Sequence, residues 1–377
     1  MSSPLSMARA ITLLQPARIE IGAGAIARLG IWAADFRRIF VVAMAPTVGY
    51  VERMELKGDV VTFIDIPPEP DLPAVDAVLA AAREFRPDLV VGLGGGSVMD
   101  VAKLVAVLWD GEQSVQDVVG PNKVAGRRTA LAQVPTTSGT GSEAGIRALV
   151  TNPATLAKLA VESHFMLADI AVLDPELTYS VPAAVTAATG VDALAHCVEA
   201  FTNIKAHPLI DGYATLGIQL VGQYLARAVA DGGDTEARAG MMLASYYGGV
   251  CLGPVNTAAG HALAYPLGTR LKLPHGLANA LIFPHVLAFN APVANQKTEQ
   301  ICALLQFSGE GSQAVLAAGL DYCRNLGIET SLAAHGASGD DLPIWASEAH
   351  AIRRLMDNNP RPMSVDDVLN IYQAAMA

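Results

Sequence analysis

Four residues stand out for the chemistry their types and spacing would allow. Asp192 and His196 lie four apart in Asp192-Ala-Leu-Ala-His196, inside the Ala-rich segment 183–202. That composition favours a helix, and an i, i+4 spacing puts both side chains on one face about one turn apart. His261, in Gly260-His261, and His275, in Pro274-His275-Gly276, come much later, and neither sits in a polar surface run. One carboxylate and three imidazoles suit a divalent transition metal, with Fe2+, Zn2+ and Co2+ all compatible, whereas calcium and magnesium want more oxygen ligands. The competing reading is a hydrogen-bonded core histidine on an apolar face. Spacing alone does not bring position 192 to position 275, so both readings stay open at this point. His164, His207, His285, His335 and His350 take the ordinary structural reading.

Three glycine-bearing loops offer a place for a phosphate. Gly22-Ala-Gly24-Ala-Ile-Ala27 nearly matches the dinucleotide fingerprint, but the acidic residue wanted at the end of the next strand is absent, and a tight turn between strand and helix is the reading it favours. Gly94-Gly95-Gly96-Ser97, continued by Val98-Met99-Asp100, sits between a strand and a helix. Successive glycines let a ligand approach the backbone, and the helix N-terminus behind them aims unpaired N–H groups and partial positive charge at it. A pyrophosphate fits there; the alternative is a glycine turn with Ser97 as N-cap and Asp100 completing a capping pattern. Pro135-Thr136-Thr137-Ser138-Gly139-Thr140-Gly141-Ser142-Glu143 follows the next strand and would bring hydroxyl donors to a nucleotide at the carboxyl edge of a parallel sheet.

The elements that must position these groups are legible from periodicity. Segments 38–44, 59–65, 88–93 and 129–134 are short apolar runs, the first three rich in β-branched residues and read as buried parallel strands. Between the second and third, Val75, Val78, Leu79, Ala82 and Phe85 recur at the spacing of one helix face, completing a βαβ unit. Beyond about 181 the chain turns to long Ala-, Leu- and Met-rich stretches, so the second half is mostly helical, with the boundary near Pro175 to Pro182. A length of 377 residues exceeds what one core usually serves, and two domains, 1–180 and 181–377, are the expectation. With 52% hydrophobic and 16% charged residues the chain is well supplied for a large interior. A net charge of −11 without a basic run speaks against nucleic acid as a partner. Apolar stretches are broken well before ~20 residues, so no membrane span is expected, and the first residues lack a secretory pattern. Cys197, Cys251, Cys302 and Cys323 form no CxxC, which fits free thiols in a reducing cytoplasm.

Taken as blocks, GGGSVMDVAK at 94–103, PTTSGTGSE at 135–143, DP at 174–175, TGVDALAHCVEA at 189–200 and GHALAYPLG with LPHGLANALIFPHVLAFN across 260–290 run in one order over nearly the whole chain. In these blocks the sequence resembles the iron-containing (group III) alcohol dehydrogenase family. The resemblance implies an α/β dinucleotide-binding domain with a parallel sheet, followed by an all-helical domain, the architecture shared with dehydroquinate synthase. It implies a divalent metal, Fe2+ first and Zn2+ second, on Asp192, His196, His261 and His275. It places the pyrophosphate of NAD or NADP on Gly94, Gly95, Gly96 and Ser97 at the start of the Asp100 helix, with Thr136, Thr137, Thr140 and Ser142 lining the nucleotide site and Lys158 near the nicotinamide ribose. The implied reaction is hydride transfer between nicotinamide and a small aldehyde or alcohol, in a cytoplasmic enzyme, with a homodimer as the family's common state.

Three departures from the family pattern bear on function. Many members carry a second histidine four residues after the third ligand; Tyr265 stands there, and with an unperturbed pKa of about 10 a phenol orients better than it relays protons. Met44 stands where NAD-preferring relatives place Asp, so a 2′-phosphate is not repelled and NADPH is tolerated. Arg147 falls where relatives put a small polar or aromatic residue near the nicotinamide; an unpaired guanidinium there would call for an anionic substrate, whereas pairing with a structural acid would not. Two rival readings compete with this one. Maleylacetate reductase would show a histidine-rich ligand block that is missing here. A non-redox lyase of the dehydroquinate synthase type would show a different ligand set and clusters of substrate-binding Lys and Arg.

Overall fold

A computed structural model describes residues 9–377, which divide into two compact units, Leu14–Ser180 and a helical unit from Val181 to Ala377. The division differs from the expected 1–180 in one respect. The described residues ahead of Leu14 belong with the helical unit, because Ile11 and Leu13 pack on its core.

The first unit is built on nine strands: β1 (Arg18–Ile21), β2 (Arg38–Val42), β3 (Asp59–Phe63), β4 (Leu89–Gly94), β5 (Gly120–Pro121), β6 (Ala130–Pro135), β7 (Arg147–Asn152), β8 (Ala157–Glu162) and β9 (Ile170–Leu173). Six of them form a wholly parallel sheet in the order β1-β9-β6-β4-β2-β3. β4 is buried throughout, as its apolar run requires of a strand covered on both faces. Three helices are inserted between these strands: α1 (Arg28–Trp32), α2 (Leu72–Phe85) and α3 (Gly96–Leu108). α2 begins where the Asp71 carboxylate accepts from the Ala74 N–H at 3.0 Å and stops at Arg86, which takes a left-handed φ of 57°. Its buried stripe contains all five residues named from periodicity.

The chain runs from β2 out to β3 and then returns, so β4 pairs with the other side of β2. This reversal is the topological switch point of an open parallel sheet, where ligands bind beyond the strands' carboxyl ends. The glycine loop leaves β4 there, and the hydroxyl loop leaves its neighbour β6, with Gly94 opposite Pro135. A smaller sheet, β5-β8-β7, contains an antiparallel hairpin in which Arg147 faces Glu162 and Asn152 faces Ala157.

The helical unit comprises α4 (Ala183–Thr202), α5 (Pro208–Ala230), α6 (Thr235–Leu252), α7 (Ala259–Arg270), α8 (His275–Asn290), α9 (Asn295–Leu305), α10 (Gly311–Asn325), α11 (Leu342–Ala351), α12 (Arg353–Met356) and α13 (Val365–Ala374). α4 is buried almost all round, which explains an Ala-rich sequence with little amphipathic contrast. Val191, Leu194 and Val198 of α4 share a core with Ile218, Val221 and Leu225 of α5 and with Phe283 and Leu287 of α8. None of the helices is long and apolar enough to cross a membrane among the described residues.

Candidate metal centre and nucleotide loops

The helical unit gathers the four residues singled out for metal chemistry. Asp192 and His196 project from α4, His261 from the first turn of α7, and His275 from the first position of α8. One ligand atom from each lies within 4.8 Å of all the others. The three imidazole Nε2 atoms stand 3.9, 3.6 and 3.7 Å from Asp192 Oδ1, for His196, His261 and His275 respectively. These separations are too long for hydrogen bonds and suit donors arranged around a common point. Asp192, His196 and His261 are buried, while 23% of the His275 side chain is exposed, so the set opens on the His275 side.

The electrostatics of this pocket call for positive charge. Burial alone would raise the Asp192 pKa, yet the surrounding imidazoles hold it well below the usual carboxylate range. Burial pushes His196 down to about 4, against the pull of Asp192. His261 also feels burial, but Glu199 and Asp192 together lift it to about 10. His261 Nε2 nevertheless has no hydrogen-bond partner, and neither does His196 Nδ1, although both are buried. Of these two, His261 Nε2 is the one that faces the Asp192 carboxylate, where an orphaned buried nitrogen is costly without a cation, and the donor set fits a divalent transition metal.

Sequence reasoning missed two supporting residues. Glu199 accepts hydrogen bonds from His261 Nδ1 at 2.8 Å, from the His261 backbone N–H at 3.2 Å and from the Ala258 N–H. The first of these leaves the lone pair on Nε2, facing the centre. The same carboxylate ties α4 to the start of α7, and a Cβ on Gly260 would collide with it, so glycine is required there. The signal was present: Glu199 is seven residues after Asp192 and three after His196, on the same helical face. Asn279, one turn after His275, donates from Nδ2 to Asp192 Oδ1 at 2.6 Å and lies 3.1 Å from His275 Nε2, holding these two donors side by side. Glu199→Gln is expected to weaken Zn2+ or Co2+ binding about 10- to 100-fold, the usual cost of losing such an outer partner. Calorimetry would check this, and unchanged metal affinity would reduce Glu199 to a helix-end anchor.

In the other unit, the two loops sit against each other. The Thr136 N–H donates to Gly94 C=O at 3.0 Å; a Cβ on Gly95 would come within 3.1 Å of Thr137 Oγ1, and one on Gly96 within 2.6 Å of Thr140 Cγ2. Gly95 occupies the N-cap of α3 in extended conformation without a side-chain cap. The capping alternative does not hold. Ser97 Oγ accepts instead from the Glu69 N–H, and the Asp100 carboxylate accepts from Ser142 Oγ at 2.6 Å and the Leu149 N–H at 2.8 Å. Ser142 and Asp100 thus shape the loop from behind. Lys103, fully buried, donates to Ser142 Oγ at 2.7 Å and Arg147 C=O at 2.8 Å; burial pulls its pKa down against Asp100 and Glu143. Burial lifts Glu143 to about 7, opposed by its own backbone N–H and by Lys103. An uncapped helix N-terminus behind a glycine cradle fits a pyrophosphate.

The remaining candidates fall as follows. Lys158 on β8 pairs with Glu69, whose N–H reaches Ser97, so it lies beside the glycine loop. Met44 follows β2, and its turn is tied to β4 through Thr47 Oγ1, which donates to Leu93 C=O. Tyr265 on α7 lies with its ring 6.0 Å from that of His275. Gly22–Ala27 is not a phosphate site: the N–H groups of Gly24 and Ile26 donate to the buried Asp174 carboxylate. Arg147 is paired with Glu162 at 2.6 Å across the β7–β8 hairpin. It is therefore not the unpaired guanidinium from which an anionic substrate was argued.

Comparison with known proteins agrees with this arrangement. Residues 16–175 match the family model for iron-containing alcohol dehydrogenase, and residues 186–376 match that for the C-terminal part of the same family. The chain is 36% identical to long-chain-alcohol dehydrogenase 1 of Geobacillus thermodenitrificans, over 84% of this chain and 82% of that one. Among solved structures it resembles a 1,3-propanediol oxidoreductase at a TM-score of 0.92 and 29% identity, covering 97% of this chain and all of the other. It also resembles the sulfoacetaldehyde reductase of Bifidobacterium kashiwanohense in complex with NAD+, at a TM-score of 0.88 and 28% identity, covering 98% and 99%. These relatives are dehydrogenases and reductases, which sets the non-redox lyase reading aside. The chain belongs to the iron-containing alcohol dehydrogenase family and is a metal-dependent, NAD(P)-linked oxidoreductase of alcohols and aldehydes.

Proposed function

We propose that this enzyme interconverts short aldehydes and alcohols, with Asp192, His196, His261 and His275 holding a divalent metal, Fe2+ first. In this reading Gly94 to Ser97 cradle the pyrophosphate of NAD(P), Thr136, Thr137 and Thr140 face the nucleotide, and Lys158 stands near the ribose. The observation that carries it is the convergence of four donors within 4.8 Å, with the buried His261 Nε2 beside Asp192 lacking any hydrogen-bond partner. A metal bound there supplies a Lewis acid for the substrate oxygen, and the nicotinamide donates or accepts the hydride. The chain's own part is to orient. Asn279 fixes Asp192 beside His275, Glu199 fixes the His261 tautomer, and Tyr265 lies at the open side, where its hydroxyl receives a hydrogen bond from Arg354 Nη2 at 3.2 Å. A cytoplasmic homodimer is part of the same proposal; the four cysteines are free, as a reducing compartment allows.

The test is anaerobic oxidation of NADH and NADPH by Fe2+-reconstituted enzyme with short aldehydes. Turnover that chelation removes and Fe2+ restores supports the reading; cofactor oxidation indifferent to chelation overturns the metal assignment. The same assay tests Met44. Wild type is expected to use NADPH at least comparably to NADH, and Met44→Asp to cut kcat/KM for NADPH about tenfold or more, since a carboxylate there repels the 2′-phosphate and serves the ribose hydroxyls. An unchanged NADPH-to-NADH ratio in Met44→Asp would place the ribose elsewhere.

A further inference from the structure

The open side of the metal centre carries a cation that the reaction itself does not need. Of the four donors only His275 is substantially exposed, and Tyr265, one turn beyond His261 on α7, lies against it with ring centroids 6.0 Å apart. The same ring is also held by Arg354 of α12. Its guanidinium carbon stands 5.5 Å from the Tyr265 centroid, and Nη2 donates to the Tyr265 hydroxyl at 3.2 Å. Arg353 is matched with Asp357, Arg270 with Glu348, and Arg227 with Asp234 and Glu236, whereas Arg238 and Arg361 spend their guanidinium groups on oxygens of Gly232, Thr186, Val181 and Phe289. No carboxylate forms an ion pair with Arg354 among the described residues. The side chain is exposed, and the phenol holds it in place without neutralising it.

We propose that Arg354 reads a negative charge at the far end of the substrate, so that the preferred substrates are alcohols and aldehydes bearing a terminal carboxylate or sulfonate. This rests on the metal-centre reading above. Two successive contacts of 6.0 and 5.5 Å separate the guanidinium from His275. The two together set the upper bound on that gap, so after allowance for a hydrogen bond at the charged end a chain of at most roughly six atoms spans it, and the anion belongs on a short substrate. Arg suits the task because its planar fork takes an oxyanion in two parallel hydrogen bonds.

The experiment uses the Fe2+-loaded enzyme and a matched series: a four-carbon alcohol, its ω-carboxylate, its ω-sulfonate and its ω-ammonium analogue. Wild type is expected to favour both anionic alcohols over the neutral one at least tenfold in kcat/KM, chiefly through KM, with the preference shrinking as salt is added. In R354A the anionic-to-neutral ratio should collapse towards one, R354K should keep part of it, and R354E should move the preference to the ammonium alcohol. Carboxylate and sulfonate responding alike identifies charge as what is read; one alone responding narrows the anion's type. If wild type does not discriminate, or if R354A lowers neutral and anionic substrates equally, Arg354 only clamps Tyr265 and the inference fails. Absence of turnover with every alcohol would instead count against the dehydrogenase reading. Calorimetric binding of the ω-carboxylate alcohol to wild type and R354A then still decides, with equal affinities overturning the role of Arg354.

Discussion

Asp192→Asn is expected to leave the protein folded, to abolish stable metal binding and to lower kcat/KM about a thousandfold or more. The substitution keeps the side chain's size and an oxygen for the Asn279 amide, whose 2.6 Å hydrogen bond it now receives. What it removes is the one negative charge among the four donors, three of them buried. A divalent cation would then face neutral imidazoles at a largely buried site, with Glu199 one shell further out. Lewis-acid stabilisation of the developing oxyanion contributes several kcal/mol, and a thousandfold loss corresponds to about 4 kcal/mol. Elemental analysis after Fe2+ reconstitution and gel filtration would report occupancy, with the melting temperature as a check on folding. His285 supplies the contrast. It is also a buried histidine preceded by proline on α8, with burial pushing its pKa down to about 4, but it is outside the donor set. His285→Gln should retain full occupancy. Equal metal content in Asp192→Asn and wild type would mean that the four residues are a polar core cluster.

How much of this was legible in the sequence varies by the range of the interaction. The Asp192 and His196 pairing follows from helix geometry within one turn, and the α2 stripe from the same rule. The order of loops at the sheet edge followed from alternating strands and helices, since β4 and β6 are neighbours in the sheet. What stays open are contacts set by tertiary register. Sequence leaves Arg147 between an anionic substrate and a structural acid, because nothing local shows that 147–152 and 157–162 form a hairpin placing Glu162 opposite it. The turn residues between them, Asn152-Pro153-Ala154-Thr155, were the available clue. A cap on its own helix is the alternative the sequence offers for Asp100, yet its carboxylate reaches Ser142 and Leu149, more than forty residues on. The first glycine stretch reads as a tight turn, but nothing local shows that Asp174, from the end of the unit, takes its N–H groups. Residue type announced the chemistry in each case, and the partner was fixed by packing.

The glycine loop yields the second large effect, and it comes with an internal ranking. At Gly96 an added Cβ would stand 2.6 Å from Thr140 Cγ2, 2.9 Å from its Oγ1 and 3.1 Å from its Cβ. A β-branched side chain has few rotamers to escape into, and Thr140 Oγ1 also accepts from the Ser142 N–H at 3.3 Å, so relief must come from moving the hydroxyl loop. At Gly95 the Cβ meets Thr137 Oγ1 at 3.1 Å and Cγ2 only at 3.7 Å, a looser and more yielding contact. At Gly126 it meets nothing within 4 Å. Gly96→Ala should therefore raise the KM or Kd for NAD(P)H about 10- to 100-fold, Gly95→Ala less, and Gly126→Ala not at all. That range, about 1.4–2.7 kcal/mol, corresponds to about one charge-assisted hydrogen bond lost, at ~1.5–3 kcal/mol. Stability is expected to change less than affinity. Gly96 opens α3, where the better helix propensity of Ala, at most roughly 1 kcal/mol, offsets part of the overpacking cost of about 1–3 kcal/mol, so any fall in melting temperature is smaller than the loss of cofactor affinity implies. Metal content should be unchanged, because every proposed ligand is in the helical unit. If Gly96→Ala bound NAD(P)H as tightly as wild type, the pyrophosphate would have to lie away from the start of α3.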